Sequence, residues 1–263
     1  MIAASPETVL ITGASSGIGL ELARCFAADG CRLVLLARNI QALEKLEEEL
    51  RRDYKVEATV LTADLSLPET PKMVFSHLKD RGISMDILVN NAGFGLMGAF
   101  EKLPLQRQLE IIQVNISALV ALTGLFLPGM IKRRHGGILN VGSVAGFLPG
   151  PNMAVYFATK AFVMSFTEAL AEELCHSGLA ITNLCPGSTE TNFGQVARGG
   201  KERKVKNLSM SAREVAIIGH NAFRRGKVVA VTGMQNRIAA QFPRILPRRA
   251  VRKIVAFYNR DLE

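Results

Sequence analysis

Apolar, β-branched runs alternate with helix-period stretches along most of this chain. Thr8 to Thr12, Arg32 to Ala37, Thr59 to Thr62, Asp86 to Asn90, Gly137 to Val141, Ala180 to Leu184 and Lys227 to Val231 read as strands. Ile18 to Ala28 and Ile40 to Asp53 repeat apolar residues at helical spacing between them. The strand runs are nearly continuous in apolar residues, which suits a parallel sheet covered on both faces. The alternation predicts an α/β fold, a Rossmann-type doubly wound sheet of seven mainly parallel strands with helices on both faces. No linker or repeat interrupts residues 1–190, and the whole of 1–263 reads as a single domain.

Two later segments break the alternation. Phe193 to Ser209 holds Gly194, Gly199 and Gly200 among many charges and reads as a mobile loop, part of a substrate loop at about 189–210. Helix resumes near Ser211, where Ser211 and Glu214 have capping-box spacing. The second segment is the tail, about 234–263. Val251, Ile254, Val255 and Tyr258 share a helical face, while Arg248, Arg249, Arg252 and Lys253 line others.

Charge sharpens the picture of the tail. Residues 1–195 hold 16 Lys and Arg against 19 Asp and Glu, while residues 196–263 hold 16 against 4, so the net +9 belongs to the last quarter. Three readings of that basic helix stay open. It packs on its own subunit or a dimer mate, it meets an anionic membrane surface peripherally, or, with Arg198, Lys201, Arg203, Lys204 and Lys206, it attracts an anionic substrate or carrier. Nucleic acid is not expected, because aromatics do not interleave the basic residues. The start of the chain, MIAASPETVLITG, lacks secretory-signal features. No apolar run is expected to be long enough to cross a bilayer. Cys25, Cys31, Cys175 and Cys185 form no CxxC pair, so neither disulfides nor zinc are expected, and a reducing, cytoplasmic setting is.

Candidate chemistry begins at the first strand, which runs into Thr12-Gly13-Ala14-Ser15-Ser16-Gly17-Ile18-Gly19 ahead of a helix. Gly13 permits a tight turn, Gly17 lets backbone N–H groups approach a pyrophosphate, and Gly19 permits close packing of the helix on the sheet. The helix N-terminus then faces the phosphates. The second strand ends Leu36-Ala37-Arg38-Asn39 with no carboxylate to hold a ribose 2′-hydroxyl. Arg38 can pair with a 2′-phosphate instead, helped by Ser15 and Asn39, which favours NADP(H) over NAD(H). Tyr156 and Lys160 lie four residues apart, one helical turn. A free tyrosine titrates near ~10, and an ammonium beside it would favour the phenolate and lower that value.

With these pieces the sequence resembles the short-chain dehydrogenase/reductase family, in the branch with a carboxy-terminal extension. The motifs that carry the resemblance run in order over roughly the first 190 residues: Thr12 to Gly19, Asp64-Leu65, Asn90-Asn91-Ala92-Gly93, Asn115, Ser143, Tyr156 with Lys160, and Pro186-Gly187-Ser188-Thr189-Glu190-Thr191. The resemblance implies a nicotinamide-dependent oxidoreductase with Asn115, Ser143, Tyr156 and Lys160 as its catalytic set. Tyr156 would exchange a proton with the substrate oxygen. Lys160 would lower its pKa and hold the nicotinamide ribose. Ser143 would hydrogen-bond the substrate oxygen, and Asn115 would position a water linking Lys160 to solvent. Gly13, Ser15, Ser16, Gly17, Ile18, Gly19, Arg38, Asn39, Asp64, Leu65, Asn91, Ala92, Gly93, Pro186, Gly187, Thr189 and Thr191 would join Tyr156 and Lys160 around the cofactor. No metal is required, and His77, His135, His176 and His220 fall in no motif.

Phe94, Leu96, Met97, Phe147, Leu148, Met153 and Phe193 are the expected pocket lining, so the expected substrate is a hydrophobic ketone or secondary alcohol. A 3-ketoacyl thioester is the alternative, as is a regulatory protein that binds NADP without turnover. A homodimer or homotetramer is the expected assembly.

Overall fold

The computed structural model describes residues 6–200 and 209–260. Seven strands form one parallel sheet: β1 (Thr8–Thr12), β2 (Arg32–Ala37), β3 (Ala58–Thr62), β4 (Ile87–Asn90), β5 (Gly137–Val141), β6 (Ala180–Cys185) and β9 (Val229–Val231). Their spatial order is β3-β2-β1-β4-β5-β6-β9, so the order reverses between β1 and β4, where such sheets open a crevice at the carboxyl ends of their strands. The expected doubly wound sheet is therefore present, with strand limits shifted by one or two residues.

The strand runs are mostly apolar because the pleat sends alternate side chains into two cores. Val9 and Ile11 of β1 enter one core with Leu33 and Leu35 of β2, and Leu10 enters the other with Val34 and Leu36. The first core is closed by α1 (Gly17–Ala28), α2 (Ile40–Tyr54) and α8 (Ala212–Arg224) through Leu22, Phe26, Leu46 and Phe223. The second is closed by α3 (Thr70–Asp80), α5 (Ala118–Arg133) and α6 (Ala154–Glu173) through Leu78, Leu122, Phe126 and Leu170. Each fully buried side chain of this kind contributes about 1.5–3 kcal/mol.

The structure departs from the sequence reading in four places. First, α4 (Leu105–Ile112) runs through a π-helical turn (Gln113–Ser117) into α5, and this stretch is long enough, and one 18-residue window of it apolar enough (mean hydropathy 1.9), to span a bilayer. Its inward residues Leu119, Leu122, Phe126 and Met130 are buried against the sheet, as in a core helix. Second, the segment from Phe193 is not loop throughout. It begins as α7 (Phe193–Ala197), and β7 (Thr189–Glu190) pairs in parallel with β8 (Met210–Ser211), tying its two ends together. Lys201, Arg203, Lys204 and Lys206 lie outside the described residues. Third, the tail holds two helices, α9 (Met234–Ile245) and α10 (Arg248–Arg260). Fourth, the shared apolar face of α10 divides: Val251 and Val255 are buried, whereas Ile254 and Tyr258 are half exposed. The Ser211 capping box forms with both of its hydrogen bonds.

Candidate active site

The glycine turn is held by the motif that follows β4. Thr12 Oγ1 donates to Val89 O at 3.2 Å and accepts from the N–H groups of Asn91 and Ala92, each at 3.0 Å. Asn91 Nδ2 donates to Thr12 O at 2.8 Å and Gly13 O at 3.1 Å. Gly13 sits at φ +68°, where a β-carbon is disfavoured. Gly19 has a different job from the one expected. A β-carbon there would stand 2.3 Å from Asn91 Nδ2 and 2.4 Å from Gly13 O, so its bareness seats the helix on the turn itself rather than on the sheet. Ser16, the residue before α1, makes no side-chain capping bond, which leaves the first N–H groups of the helix facing the cavity for an anion.

Beside the turn, Arg38 is exposed and its Nη1 lies 3.9 Å from Asp64 Oδ2. Burial acts to raise the Asp64 carboxyl, but hydrogen bonds from Ser66 and the charges of Arg38 and Arg107 more than offset it and hold the group below its ordinary range. Asn39 accepts from Ala42 N at 3.0 Å and caps α2. Sequence reasoning passed over Arg107. It lines the same cavity, lies over the Phe94 ring at 5.0 Å and pairs with Glu110.

Ser143 follows β5, and Tyr156 and Lys160 share the inner face of α6; all three side chains are buried. Ser143 Oγ accepts from Ala145 N at 3.1 Å, lies 3.4 Å from Pro186 O and faces the Tyr156 phenol. Lys160 Nζ donates to Val141 O at 2.8 Å and sits 5.9 Å from the centre of the Tyr156 ring. In the protein alone the phenol pKa moves opposite to expectation. Burial pushes Tyr156 up to about 12 against the opposing hydrogen bond from Ser143. Burial also pushes the Lys160 ammonium down to about 8. Desolvation of both groups outweighs the attraction that the four-residue spacing suggested.

Asn115 lies at the centre of the π-helical turn, a geometry that recurs at functional sites. Its Oδ1 accepts from Phe94 N at 3.1 Å, and its Nδ2 donates to Phe94 O at 3.1 Å and to Thr159 Oγ1 at 3.0 Å. Thr159 in turn donates to Tyr156 O at 2.7 Å. The amide thus braces the loop after β4 against α6, and both its N–H groups are used in doing so. Oδ1 and Lys160 Nζ flank Gly93, 3.0 and 3.6 Å from where a β-carbon would stand. Asn90, which ends the strand as the sequence predicts, is buried in β4 and donates to Asn140 Oδ1 at 2.9 Å and Thr123 Oγ1 at 3.3 Å.

These groups line one cavity of about 1270 Å³. Of the named cofactor positions, Gly13, Ser15, Ser16, Gly17, Ile18, Arg38, Asn39, Asp64, Leu65, Asn91, Ala92, Gly93, Pro186, Gly187, Thr189 and Thr191 all lie on its wall with Ser143, Tyr156 and Lys160; Gly19 and Asn115 stand behind it. Phe94, Met97, Leu148, Met153 and Phe193 line it as expected, while Leu96 and Phe147 do not. Phe193 packs on the Tyr156 ring at 5.1 Å between centres. Sequence reasoning missed the far wall, built by Phe242, Leu246, Val251, Ile254, Val255 and Tyr258 of the tail. Asn259 Nδ2 donates to Pro151 O at 2.7 Å and fastens that wall to the segment entering α6. The four-residue spacing of Val251, Val255 and Asn259 was a usable signal for an inward face.

A family model described as short chain dehydrogenase matches residues 7–202. The chain belongs to the short-chain dehydrogenase family. Like other short-chain dehydrogenases it is an oxidoreductase working between alcohol and carbonyl groups. It is similar to a short-chain dehydrogenase from Sphingobium yanoikuyae solved in complex with NADPH, at 33% identity and TM-score 0.83, covering 95% of this chain and 94% of that one. It is also similar to the bulky-bulky ketone specific alcohol dehydrogenase from Comamonas testosteroni, at 31% identity and TM-score 0.77, covering 90% and 92%. Sulfoacetaldehyde reductase 2 from Chromohalobacter salexigens is 38% identical over 198 residues, which is 74% of this chain and 78% of that protein. The family model stops short of α8, α9 and α10, so the far wall lies beyond the matched region.

Proposed function

We propose that residues 1–263 act as one NADP(H)-dependent oxidoreductase unit that reduces a hydrophobic ketone or oxidises the matching secondary alcohol. The observation that carries this reading is the buried Ser143, Tyr156 and Lys160 set at the base of a largely apolar cavity. Bound NADP(H) supplies or accepts the hydride at the substrate carbon. The uncapped N-terminus of α1 and the turn from Gly13 to Gly19 suit its pyrophosphate, Arg38 suits its 2′-phosphate, and Asp64 and Leu65 flank the adenine end. Pro186, Gly187, Thr189 and Thr191 would hold the nicotinamide end. Lys160 would hold a ribose hydroxyl.

Tyr156 donates its phenolic proton to the carbonyl oxygen in reduction and takes it back in oxidation. A phenol held neutral by burial is a competent donor, and Ser143 steadies the charge that grows on the substrate oxygen. Asn115 positions Tyr156 and the loop at Phe94 rather than touching substrate. NADPH in the Sphingobium relative and the name of the Comamonas enzyme favour this cofactor and substrate class. The length of the cavity, which reaches the basic tail, favours a 3-ketoacyl thioester as the second candidate. A purely regulatory NADP-binding role sits poorly with an intact proton-transfer set. Exposed Leu109 and Ile112 on α4 and Phe162 on the adjacent α6 favour a dimer or tetramer.

The test is steady-state oxidation of NADPH and of NADH over a panel of bulky ketones, 3-ketoacyl thioesters and small polar aldehydes. The reading requires NADPH to be preferred and a bulky apolar ketone to be turned over. Preference for NADH would remove the Arg38 argument, and turnover confined to small polar aldehydes would remove the substrate assignment.

A further inference from the structure

The two tail helices that wall the cavity have outer faces that the oxidoreductase reading does not use. On α9, Met234, Ile238 and Ile245 are 69%, 55% and 80% exposed, at a spacing that sets them along one side. On α10, Phe257 is 70% exposed, with Arg249, Arg252 and Lys253 exposed beside it. None of these seven side chains lines the cavity, so their exposure is toward the surroundings. The sequence from 234 to 260 contains seven Lys and Arg and no Asp or Glu. A surface that combines large apolar side chains with an unbroken run of one charge calls for a partner that is both apolar and anionic.

We propose that α9 and α10 dock the protein on an anionic lipid surface. Charge complementarity selects this occupant. A second copy placed on the same face would bring two strongly cationic segments together, which costs energy. A bilayer carrying acidic headgroups instead attracts the cations and takes up Ile238, Ile245 and Phe257 at its acyl boundary. The helices are held in place for this task from behind. Val251 and Val255 are buried, and Asn259 is tied to Pro151 O at 2.7 Å, so the outer face stands on a fixed base.

The placement bears on substrate entry. Phe242, Ile254 and Tyr258 sit at the rim where these same helices border the cavity, so the docked protein would present its apolar opening to the lipid. This last point rests on the hydrophobic-substrate reading given above. The docking itself does not, and vesicle binding measures it without any turnover.

The experiment is co-sedimentation of the full-length protein with vesicles of phosphatidylcholine alone and of phosphatidylcholine with 30% phosphatidylglycerol. Binding to the anionic vesicles is expected to exceed binding to the neutral ones at least ~10-fold and to fall steeply in 0.5 M salt. An Ile238→Asp/Phe257→Asp variant and an Arg249→Glu/Arg252→Glu/Lys253→Glu variant are each expected to lose it. Both alter exposed positions, and an unchanged melting temperature certifies their fold. Equal binding to both vesicle types, no binding to either, or full binding by both variants would overturn the proposal. So would concentration-dependent self-association without vesicles that the same variants abolish, since a second copy would then be the occupant. If vesicle binding holds while no ketone is turned over, the docking stands and the substrate reading fails.

Discussion

Replacing Lys160 by methionine should make the protein more stable while removing its activity. Lys160 is 6% exposed, and burial lowers its pKa from 10.5 to about 8. That lowering corresponds to a folded-state penalty of about 3 kcal/mol for the ammonium at pH 7. Methionine fills similar volume without charge. It forfeits the bond to Val141 O, which offsets about 1 kcal/mol. The net expectation is a gain of about 2 kcal/mol, or roughly 4–8 °C in Tm. The sign has a pH signature. Because the folded pKa is depressed, wild-type stability is reduced below pH 8 and recovers as pH rises from about 8 towards 10.5. The variant lacks that recovery, so its advantage should shrink across this window. Tyr156, raised to about 12, destabilises the fold only above its unfolded value near 10, so the comparison belongs below pH 10. Urea unfolding of both proteins at pH 7.0 and 9.5, with m-values compared, reads the effect. A variant less stable than wild type at pH 7, or a gap that does not change with pH, would refute the burial argument.

Two further substitutions probe the frame around the site. Gly19→Ala pushes a methyl group into Gly13 O and Asn91 Nδ2; with backbone on one side it should cost about 1–3 kcal/mol in urea unfolding and abolish NADPH binding in titration calorimetry. Wild-type cofactor affinity in this variant would contradict the packing of the turn. Asn115→Ala removes three hydrogen bonds and strands both backbone groups of Phe94, so a loss on the order of 3 kcal/mol is expected, with kcat reduced more than cofactor affinity. An unaltered melting temperature would count against bracing as its role.

The strands were legible because a sheet buried on both faces makes the middle of β1 and most of β5 apolar, with Thr8, Thr12 and Asn140 as buried polar exceptions, and few other structures do. The glycine turn and the pair on α6 were legible because their spacing is fixed by local geometry. What escaped the sequence was set by tertiary contact. Pro243 lies inside α9, and a proline in a polar, basic stretch argues against helix until packing overrides it. The inward face of α10 has meaning only once Asn259 reaches Pro151, 108 residues away in the chain. The pairing of β7 with β8 joins two-residue strands that carry no periodicity of their own. The direction of the Tyr156 shift was misjudged for a related reason: spacing reveals a neighbouring charge but not the loss of water around both groups.

The central claim is that Tyr156 moves the proton. The direct measurement is kcat for reduction of a bulky ketone by NADPH in wild type and Tyr156→Phe, alongside the Kd for NADPH of each. Removing the general acid should lower kcat by ~10²–10⁴-fold and leave the cofactor Kd within a few-fold. Turnover by Tyr156→Phe within a few-fold of wild type would contradict the account.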